Sequence, residues 1–430
     1  MADGSIATPI LNGPYTAPER HFEISPQGGL SGTILSGRRP SESFSPIAVT
    51  KKGRKGKATQ DALDFDATGE RTEVNPLIND IRREVELWRA RGYAGVTPYT
   101  RKLLLHWADP ERDNRVLFCQ REAAETAIFL AEVAGRHGAD YRTVVAEQNT
   151  LHNDGLPRVG LKMATGAGKT VVMAMLIAWQ TINKVYSPRD ARFAKRFLIV
   201  TPGITIRDRL RVLNPADEGN YFRERDLIPA DLWGAVQEAQ LVITNYHAFL
   251  PREQKEFQGV AKTTKLILKG DKKNISFEET PEQIVTRVLR NFGATKGIGE
   301  IVVLNDEAHH CYRDRPLEAD EEAELDAESK KEAKDRNEGA RVWFRGLQAV
   351  RRKIGIKAIY DLSATPFYLK GSGYNEGFIF PWAVSDFSLM DAIESGIVKV
   401  PRIPVDDDSS GKQVAYLHLH ALAEDFRDLV

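Results

Sequence analysis

Cysteine, long apolar runs and a surplus of one charge are all scarce in this sequence. Only two of its 430 residues are cysteine, Cys119 and Cys311, and no C-x-x-C pair occurs. This scarcity argues against a disulfide framework or a zinc site and favours a reducing cytoplasm. No apolar run approaches the ~20 residues of a membrane span, and the N-terminus does not resemble a signal peptide. We therefore expect a cytoplasmic protein without membrane contact.

The balance of charge and the apolar content limit the class of protein further. Lysine plus arginine and aspartate plus glutamate each number 60, so no net basic field attracts nucleic acid. Any contact with a polyanion must therefore be local. Hydrophobic residues make up 42% of the chain, which is enough for the core of a globular protein with two or three domains.

The stretch Leu161–Thr170 has the pattern of a phosphate-binding loop. The residues Arg158–Met163 read as an apolar strand, a small-residue turn follows, and Val171–Trp179 reads as a buried helix. Two glycines free the backbone to point successive N–H groups at a phosphate, and the helix adds its positive end. The predicted nucleotide-binding residues of the loop are Thr165, Gly166, Ala167, Gly168, Lys169 and Thr170.

The last two residues of the loop carry its chemistry. Lys169 would reach the β- and γ-phosphates, and the hydroxyl of Thr170 could coordinate Mg²⁺. The general pattern G-x-x-x-x-G-K-[ST] has a glycine where Met163 stands. The form A-T-G-x-G-K-T, read here from Ala164, resembles the loop of superfamily 2 helicases. On the loop alone, an ordinary glycine turn with a solvated Lys169 remains open.

Four further apolar stretches end in polar residues. They are Arg196–Gly203, Leu241–His247, Ile301–His310 and Lys357–Pro366. Near-continuous apolar strands that alternate with helices predict an α/β fold with a parallel sheet covered by helices on both faces. In such sheets ligands bind at the carboxyl ends of the strands, where these polar residues stand.

Two of these polar residues, Asp306 and Glu307, supply what nucleotide hydrolysis needs. Asp306 would hold Mg²⁺, and Glu307 would orient or deprotonate the attacking water. A solvated Asp-Glu turn is the alternative, but the loop and the acid pair together provide both halves of a magnesium-nucleotide site. We predict Lys169, Asp306 and Glu307 as catalytic residues, and Thr170 and Asp306 as metal ligands.

The residues Asp306-Glu-Ala-His309 and Ser363-Ala-Thr365 resemble motifs II and III of DEAH-type superfamily 2 helicases. This resemblance implies a RecA-like P-loop NTPase lobe that uses ATP and Mg²⁺. It also implies that His309, Ser363 and Thr365 couple hydrolysis to nucleic-acid contact. Serine and threonine at strand ends also cap helices, and that alternative stays open.

One further residue and two short segments acquire roles from the same resemblance. Gln120, at the start of a helix, has an amide that matches the adenine edge and resembles the adenine-reading glutamine, although an exposed polar residue is equally consistent. Thr201-Pro202-Gly203 resembles motif Ia, and Thr244-Asn245 resembles the next strand-end motif. Both are expected to contact the nucleic-acid backbone.

The segments Phe380–Pro404, Pro18–Phe22 and Gly37–Pro40 are similar to the restriction subunits of type III restriction endonucleases. Members of that family are ATP-dependent DNA motors with a C-terminal nuclease domain. The similarity therefore implies that the chain acts on duplex DNA together with a modification methyltransferase subunit.

We predict four segments along the chain. They are a flexible or irregular arm over residues 1–70 with a basic tract at 51–57, a helical region over 71–150 that contains the helix of Gln120, a RecA-like lobe over 151–405 with insertions near 252–298 and 315–340, and a stretch over 406–430 that begins a following domain or linker.

The residues after the last motif shape the expected activity. About 65 residues follow Thr365, fewer than the ~100 of a further domain, and they contain no Q-x-x-G-R-x-x-R. We interpret Pro404–Asp408 with Lys412 as a polar loop and not as a nuclease site. We expect a fragment or truncated form that lacks a second RecA lobe, binds ATP and hydrolyses it slowly. An RNA helicase or remodeller, and a non-catalytic nucleotide-gated module completed by a partner chain, remain alternatives.

Overall fold

Six strands form the sheet at the centre of the fold, and two antiparallel strand pairs precede it. The computed structural model describes residues 8–24, 30–46, 70–135, 140–252, 279–293, 300–316 and 327–399. Contacts divide the chain into Met1–Val398 and Lys399–Val430, and every described strand and helix belongs to the first unit. The strands are β1 (Arg20–Ile24), β2 (Leu30–Ser36), β3 (Glu42–Pro46), β4 (Glu70–Val74), β5 (Arg158–Met163), β6 (Arg196–Thr201), β7 (Gln240–Asn245), β8 (Ile301–Asp306), β9 (Ile356–Ser363) and β10 (Ala383–Phe387).

The strands of the central sheet lie in the order β10-β5-β9-β8-β6-β7, and every neighbouring pair is parallel. The predicted α/β fold of the RecA-like type is therefore confirmed. All five strands that the apolar stretches predicted are present. The sixth strand, β10, was not predicted from the sequence, because Ser385 and Asp386 interrupt its apolar pattern.

Helices cover the sheet on both faces. The described helices are α1 (Pro76–Ala90), α2 (Pro98–Ala108), α3 (Phe118–Ile128), α4 (Tyr141–His152), α5 (Lys169–Tyr186), α6 (Ile204–Arg209), α7 (Tyr221–Glu224), α8 (Trp233–Val236), α9 (Pro281–Val288), α10 (Ala327–Lys353) and α11 (Leu389–Glu394).

The alternation of side chains along β6 shows how one sheet divides the core in two. Phe197 and Ile199 pack in a cluster with α5, whereas Leu198 and Val200 pack in a second cluster with α9 and α10. Successive side chains of a strand point to opposite faces, so a strand covered on both faces must be apolar throughout. The thirteen consecutive residues from Val171 to Asn183 of α5 are all buried, and each large apolar side chain among them contributes roughly 1.5–3 kcal/mol.

The N-terminal residues pack against the edge of the central sheet that is formed by β10, and against α11. Arg39 donates to Glu394 of α11 at 2.6 Å, and the backbone N–H of Phe22 donates to the same carboxylate at 3.0 Å. Asp386 of β10 accepts a hydrogen bond from Ser41 at 2.6 Å and pairs with Lys162 of β5 at 2.8 Å. The segments that are similar to type III subunits, around Phe22 and Arg39, thus attach the N-terminal strand pairs to the sheet.

Several sequence predictions fall outside the described residues or stay untested. The basic tract at 51–57, residues 253–278, residues 317–326 and the polar loop from Pro404 to Lys412 lie outside the described part. The charged stretch near 315–340 continues, from Ala327 onward, as the first half of α10. The proposed domain boundaries stay predictions. Within the described residues, none of the helices is both long and apolar enough to span a bilayer, and both cysteines are buried and free.

Candidate nucleotide-binding site

The loop between β5 and α5 has the backbone that its glycines predict. Gly166 and Gly168 have φ of 81° and 82°, in the left-handed region that costs a residue with a Cβ about 1 kcal/mol or more. Gly168 directly precedes the first residue of α5. The N–H groups at the start of a helix point back toward the residues that precede it, which is the arrangement that an anion site requires. Thr165 is exposed, whereas Ala167 is buried and anchors the loop in the core.

The loop lysine and the acid pair of β8 converge, although they are more than 130 positions apart in the chain. The ammonium of Lys169 lies 2.8 Å from a carboxylate oxygen of Glu307. Both side chains are partly exposed, at 12% and 30%, so the pair lies at an opening to solvent. β5 and β8 flank β9 in the sheet, and the carboxyl ends of all three strands meet at one edge.

Glu307 adopts an unusual backbone conformation for a glutamate. Its φ is 48° and its ψ is 50°, in the left-handed region. Such a conformation costs about 1–3 kcal/mol and persists where the surrounding structure enforces it, most often at functional sites. Here it turns the chain directly after β8, so that Asp306 and Glu307 both remain at the strand end.

Asp306 is nearly buried, and this changes its acidity. Burial, and after it the neighbouring charge of Glu307, raises the pKa of Asp306 to about 6, although Lys169 opposes both. A carboxylate in such a place lacks a sufficient counter-charge, and a divalent cation would supply one. Among the described residues, no group of three His, Cys, Asp or Glu side chains is placed to hold a metal. The half-buried Thr170 and the nearly buried Asp306 fit the sparse protein ligation that Mg²⁺ takes when phosphates complete its shell.

His309 connects the acid pair to β9. Its Nδ1 lies 2.9 Å from the hydroxyl oxygen of Ser363, and Ser363 in turn accepts the backbone N–H of Thr365 at 3.1 Å. Burial, together with the neighbouring His310, lowers the pKa of His309 to about 4. The imidazole is therefore neutral at pH 7, and its 3.5 Å approach to Glu307 is a polar contact and not an ion pair. The three residues predicted to couple hydrolysis to nucleic-acid contact thus form one connected group.

Gln120 lies against the loop through both ends of its amide. Its Nε2 donates to the carbonyl of Ala167 at 3.1 Å, and its Oε1 accepts the backbone N–H of Leu117 at 3.1 Å. A Cβ at Gly168 would collide with the same amide nitrogen. The structure therefore places Gln120 beside the loop that precedes α5, with its amide bonded to the chain itself. Whether it also reads adenine stays a prediction.

The residues predicted to contact nucleic acid lie at the ends of β6 and β7. Thr201 and Asn245 are paired in the register of these two strands, at the same edge of the sheet as Asp306. Thr244 and Asn245 are half-buried, as are Pro202 and Gly203. Thr201 is fully buried, and its hydroxyl donates to the carbonyl of Gly203 at 2.8 Å. Its hydroxyl therefore shapes the turn after β6.

A buried polar network behind the site was missed at the level of sequence. Asp361 of β9 accepts hydrogen bonds from Arg158 at 2.6 Å, from Asn305 at 2.8 Å and from Trp382 at 2.8 Å. All four residues are at most 3% exposed. A charged residue inside an apolar strand requires a buried partner. The presence of Arg158 and Asp361 in otherwise apolar strands was therefore the sequence feature from which this network could have been predicted.

Comparison with known proteins identifies the family. The family model described as "Type III restriction enzyme, res subunit" matches residues 119–367, more than half of the chain. No curated protein matches the chain. The matched range includes the glycine loop before α5, the acid pair, the contact between His309 and Ser363, and five of the six sheet strands. The domain type is a helicase-like ATPase, which binds nucleotides and nucleic acid. The chain therefore belongs to the family of type III restriction enzyme Res subunits.

Proposed function

We propose that the chain binds Mg-ATP at this site and uses its hydrolysis to drive movement along duplex DNA, as the motor portion of a type III restriction-like endonuclease. The contact between Lys169 and Glu307 at 2.8 Å is the observation that supports this most strongly. It joins the phosphate loop to the acid pair, which is the arrangement that phosphoryl transfer to water requires.

Different residues of the chain have different roles in hydrolysis. The N–H groups of the loop and the ammonium of Lys169 bind the triphosphate. Thr170 and Asp306 would hold Mg²⁺, which would supply positive charge to the phosphate oxygens. Glu307 orients the attacking water and accepts its proton.

The ion pair between Lys169 and Glu307 suggests how binding prepares the site. A triphosphate offers Lys169 a more highly charged partner than one carboxylate, so the ammonium moves from Glu307 to the phosphate. Glu307 then loses its counter-ion, and its carboxylate is free to accept a hydrogen bond from the attacking water. Nucleotide binding therefore replaces an ion pair with an available base.

The nucleic-acid surface lies along the same sheet edge. The half-buried residues Pro202, Gly203, Thr244 and Asn245 offer amide, carbonyl and hydroxyl groups, which suit phosphate and sugar contacts without sequence readout. We propose duplex DNA as the substrate because the family is one of restriction enzymes. A modification methyltransferase subunit is the proposed partner.

Binding of Mg-ATP to a lysine variant tests this function. Lys169→Ala removes a charge-assisted phosphate contact, and we expect the dissociation constant measured by calorimetry to rise at least tenfold. Lys184→Ala is the matched control, because Lys184 lies in the last turn of the same helix and donates to the carbonyl of Asp190. Equal affinity of the wild type and Lys169→Ala would refute the proposal.

The nucleic-acid class requires a separate comparison. Duplex DNA and an RNA of the same sequence should be compared for their stimulation of ATP hydrolysis at one fixed salt concentration. Stronger stimulation by RNA would favour the RNA helicase alternative. Activity that appears only on addition of a second polypeptide would favour the nucleotide-gated module.

A further inference from the structure

A second connection joins the predicted nucleic-acid segment to the acid pair, and it runs over the opposite face of the sheet from α5. Trp343, in the middle of α10, is fully buried and donates its indole N–H to the side-chain oxygen of Asn305 at 3.2 Å. Asn305 directly precedes Asp306 in β8. Because successive strand side chains point to opposite faces, Asn305 faces α10, and any shift of Asn305 along the strand moves Asp306 with it.

The other side of Trp343 meets the end of β7. Its ring stacks on Tyr246, with 5.7 Å between the ring centroids and an interplanar angle of 5°. Tyr246 is half-buried and directly follows Asn245, one of the candidate nucleic-acid contacts. Trp343 therefore contacts both Tyr246, which follows the predicted nucleic-acid contact, and Asn305, which precedes the predicted metal ligand.

Helix α10 packs closely against the residues that follow β7. A Cβ added at Gly339 would lie 3.1 Å from the hydroxyl of Tyr246, and one added at Gly346 would overlap the ring of Phe249. Two glycines seven residues apart stand on one helix face, so the segment from Tyr246 to Phe249 packs directly on the backbone of α10. Closely packed elements transmit displacement, because the contacts leave no room for independent relaxation.

The network also continues to β9. Asn305 donates through its amide nitrogen to Asp361 at 2.8 Å, and Asp361 lies two residues before Ser363, the partner of His309. A displacement of Trp343 can therefore alter both the strand that holds Asp306 and the strand that holds Ser363.

We propose that Trp343 is a positioning residue that couples nucleic-acid contact at the end of β7 to the nucleotide site through Tyr246 and Asn305. This inference rests on the function proposed above. Nucleic acid bound at Thr244 and Asn245 shifts Tyr246, and the indole transfers the shift to Asn305. Such coupling is reciprocal, so nucleic acid and nucleotide change each other's affinity by the same factor.

The test measures that factor at equilibrium and needs no hydrolysis. The dissociation constant of the magnesium complex of a non-hydrolysable ATP analogue is measured by calorimetry with and without saturating duplex DNA, on the full chain. The ratio of the two constants is the coupling factor. Trp343→Phe keeps an aromatic ring against Tyr246 but removes the N–H donor together with part of the indole ring.

Trp382→Phe is the matched control. Trp382 is also fully buried and donates its indole N–H into the same network, to Asp361, but it belongs to the other end of the sheet beside β10. Both variants lose one indole hydrogen bond, so general damage to the core would affect them equally.

We expect Trp343→Phe to reduce the coupling factor about fivefold, which is the effect of losing one buried hydrogen bond, and to leave nucleotide affinity without DNA unchanged. Trp382→Phe should keep the wild-type factor. A wild-type factor in Trp343→Phe, or an equal loss in Trp382→Phe, would overturn the inference. If Trp343→Phe does not fold, Tyr246→Leu, at a half-buried position, must lower the factor instead. A wild type that binds the analogue with no effect of DNA overturns this inference alone, whereas a wild type that binds no analogue overturns the proposed function as well.

Discussion

Replacing Asp306 by asparagine should stabilise the nucleotide-free protein at neutral pH. The pKa of Asp306 rises from its ordinary 3.8 to about 6, first because of burial and then because of Glu307. Each pH unit between these values is worth about 1.36 kcal/mol, so the ionised carboxylate costs the fold roughly 3 kcal/mol. Asparagine has the same shape and no charge to desolvate.

The sign of the effect fixes its pH dependence. The folded pKa lies above the unfolded one, so the folded state holds its proton longer, and wild-type stability falls as pH rises from about 4 to about 6. Below this range Asp306 is protonated in both the folded and the unfolded state, and the variant is no more stable than the wild type. Above it, the advantage of Asp306→Asn is complete. Mg-ATP should reverse the order, because it stabilises the wild type through the carboxylate that the variant lacks.

Thermal unfolding followed between about pH 4 and pH 8 tests the prediction. The measured quantity is the difference in unfolding midpoint between Asp306→Asn and the wild type, first without and then with Mg-ATP. Asp231→Asn is the control, because Asp231 is exposed and its hydrogen bond with Lys102 lowers its pKa, so no gain is expected there. A variant that is no more stable than the wild type at pH 7.5 without nucleotide would contradict the burial argument.

Two further predictions concern the site and the network behind it. Glu307→Gln should bind Mg-ATP at least as tightly as the wild type, because Lys169 loses a competing ion pair, and it should no longer hydrolyse ATP. A rate of phosphate release equal to that of the wild type would show that Glu307 does not orient the attacking water. Asp361→Asn should lower the free energy of unfolding by about 3–5 kcal/mol, because it leaves the guanidinium of Arg158 buried without its charge partner. Denaturant unfolding measures this loss, and equal stability would show that the other groups around Arg158 suffice.

The strands of the sheet could be predicted only in part from the sequence. Five strands were found because each is an almost continuous apolar run, which is the consequence of burial on both faces. β10 was missed because its polar residues have partners that are distant in the chain. Lys162 forms an ion pair with Asp386, and a local sequence pattern does not indicate a contact between residues more than 200 positions apart.

The candidate site was predicted more completely than its surroundings. Loop chemistry is local, since glycines, lysine and threonine must follow one another to surround a phosphate. The acid pair is equally local. Their convergence was an expectation drawn from the rule that the carboxyl ends of parallel strands share one edge, and the 2.8 Å contact between Lys169 and Glu307 agrees with it.

The sequence by itself determined the fold class, and it located the glycine loop and the acid pair of the candidate site, because each depends on the periodicity or the spacing of neighbouring residues. Only the tertiary structure decided that Gln120 bonds to the loop, that Thr201 shapes a turn, and that a charged stretch continues into a helix whose Trp343 touches β8. These outcomes depend on which distant groups satisfy a buried polar atom. Burial makes such partners obligatory, but their identity follows from packing in three dimensions.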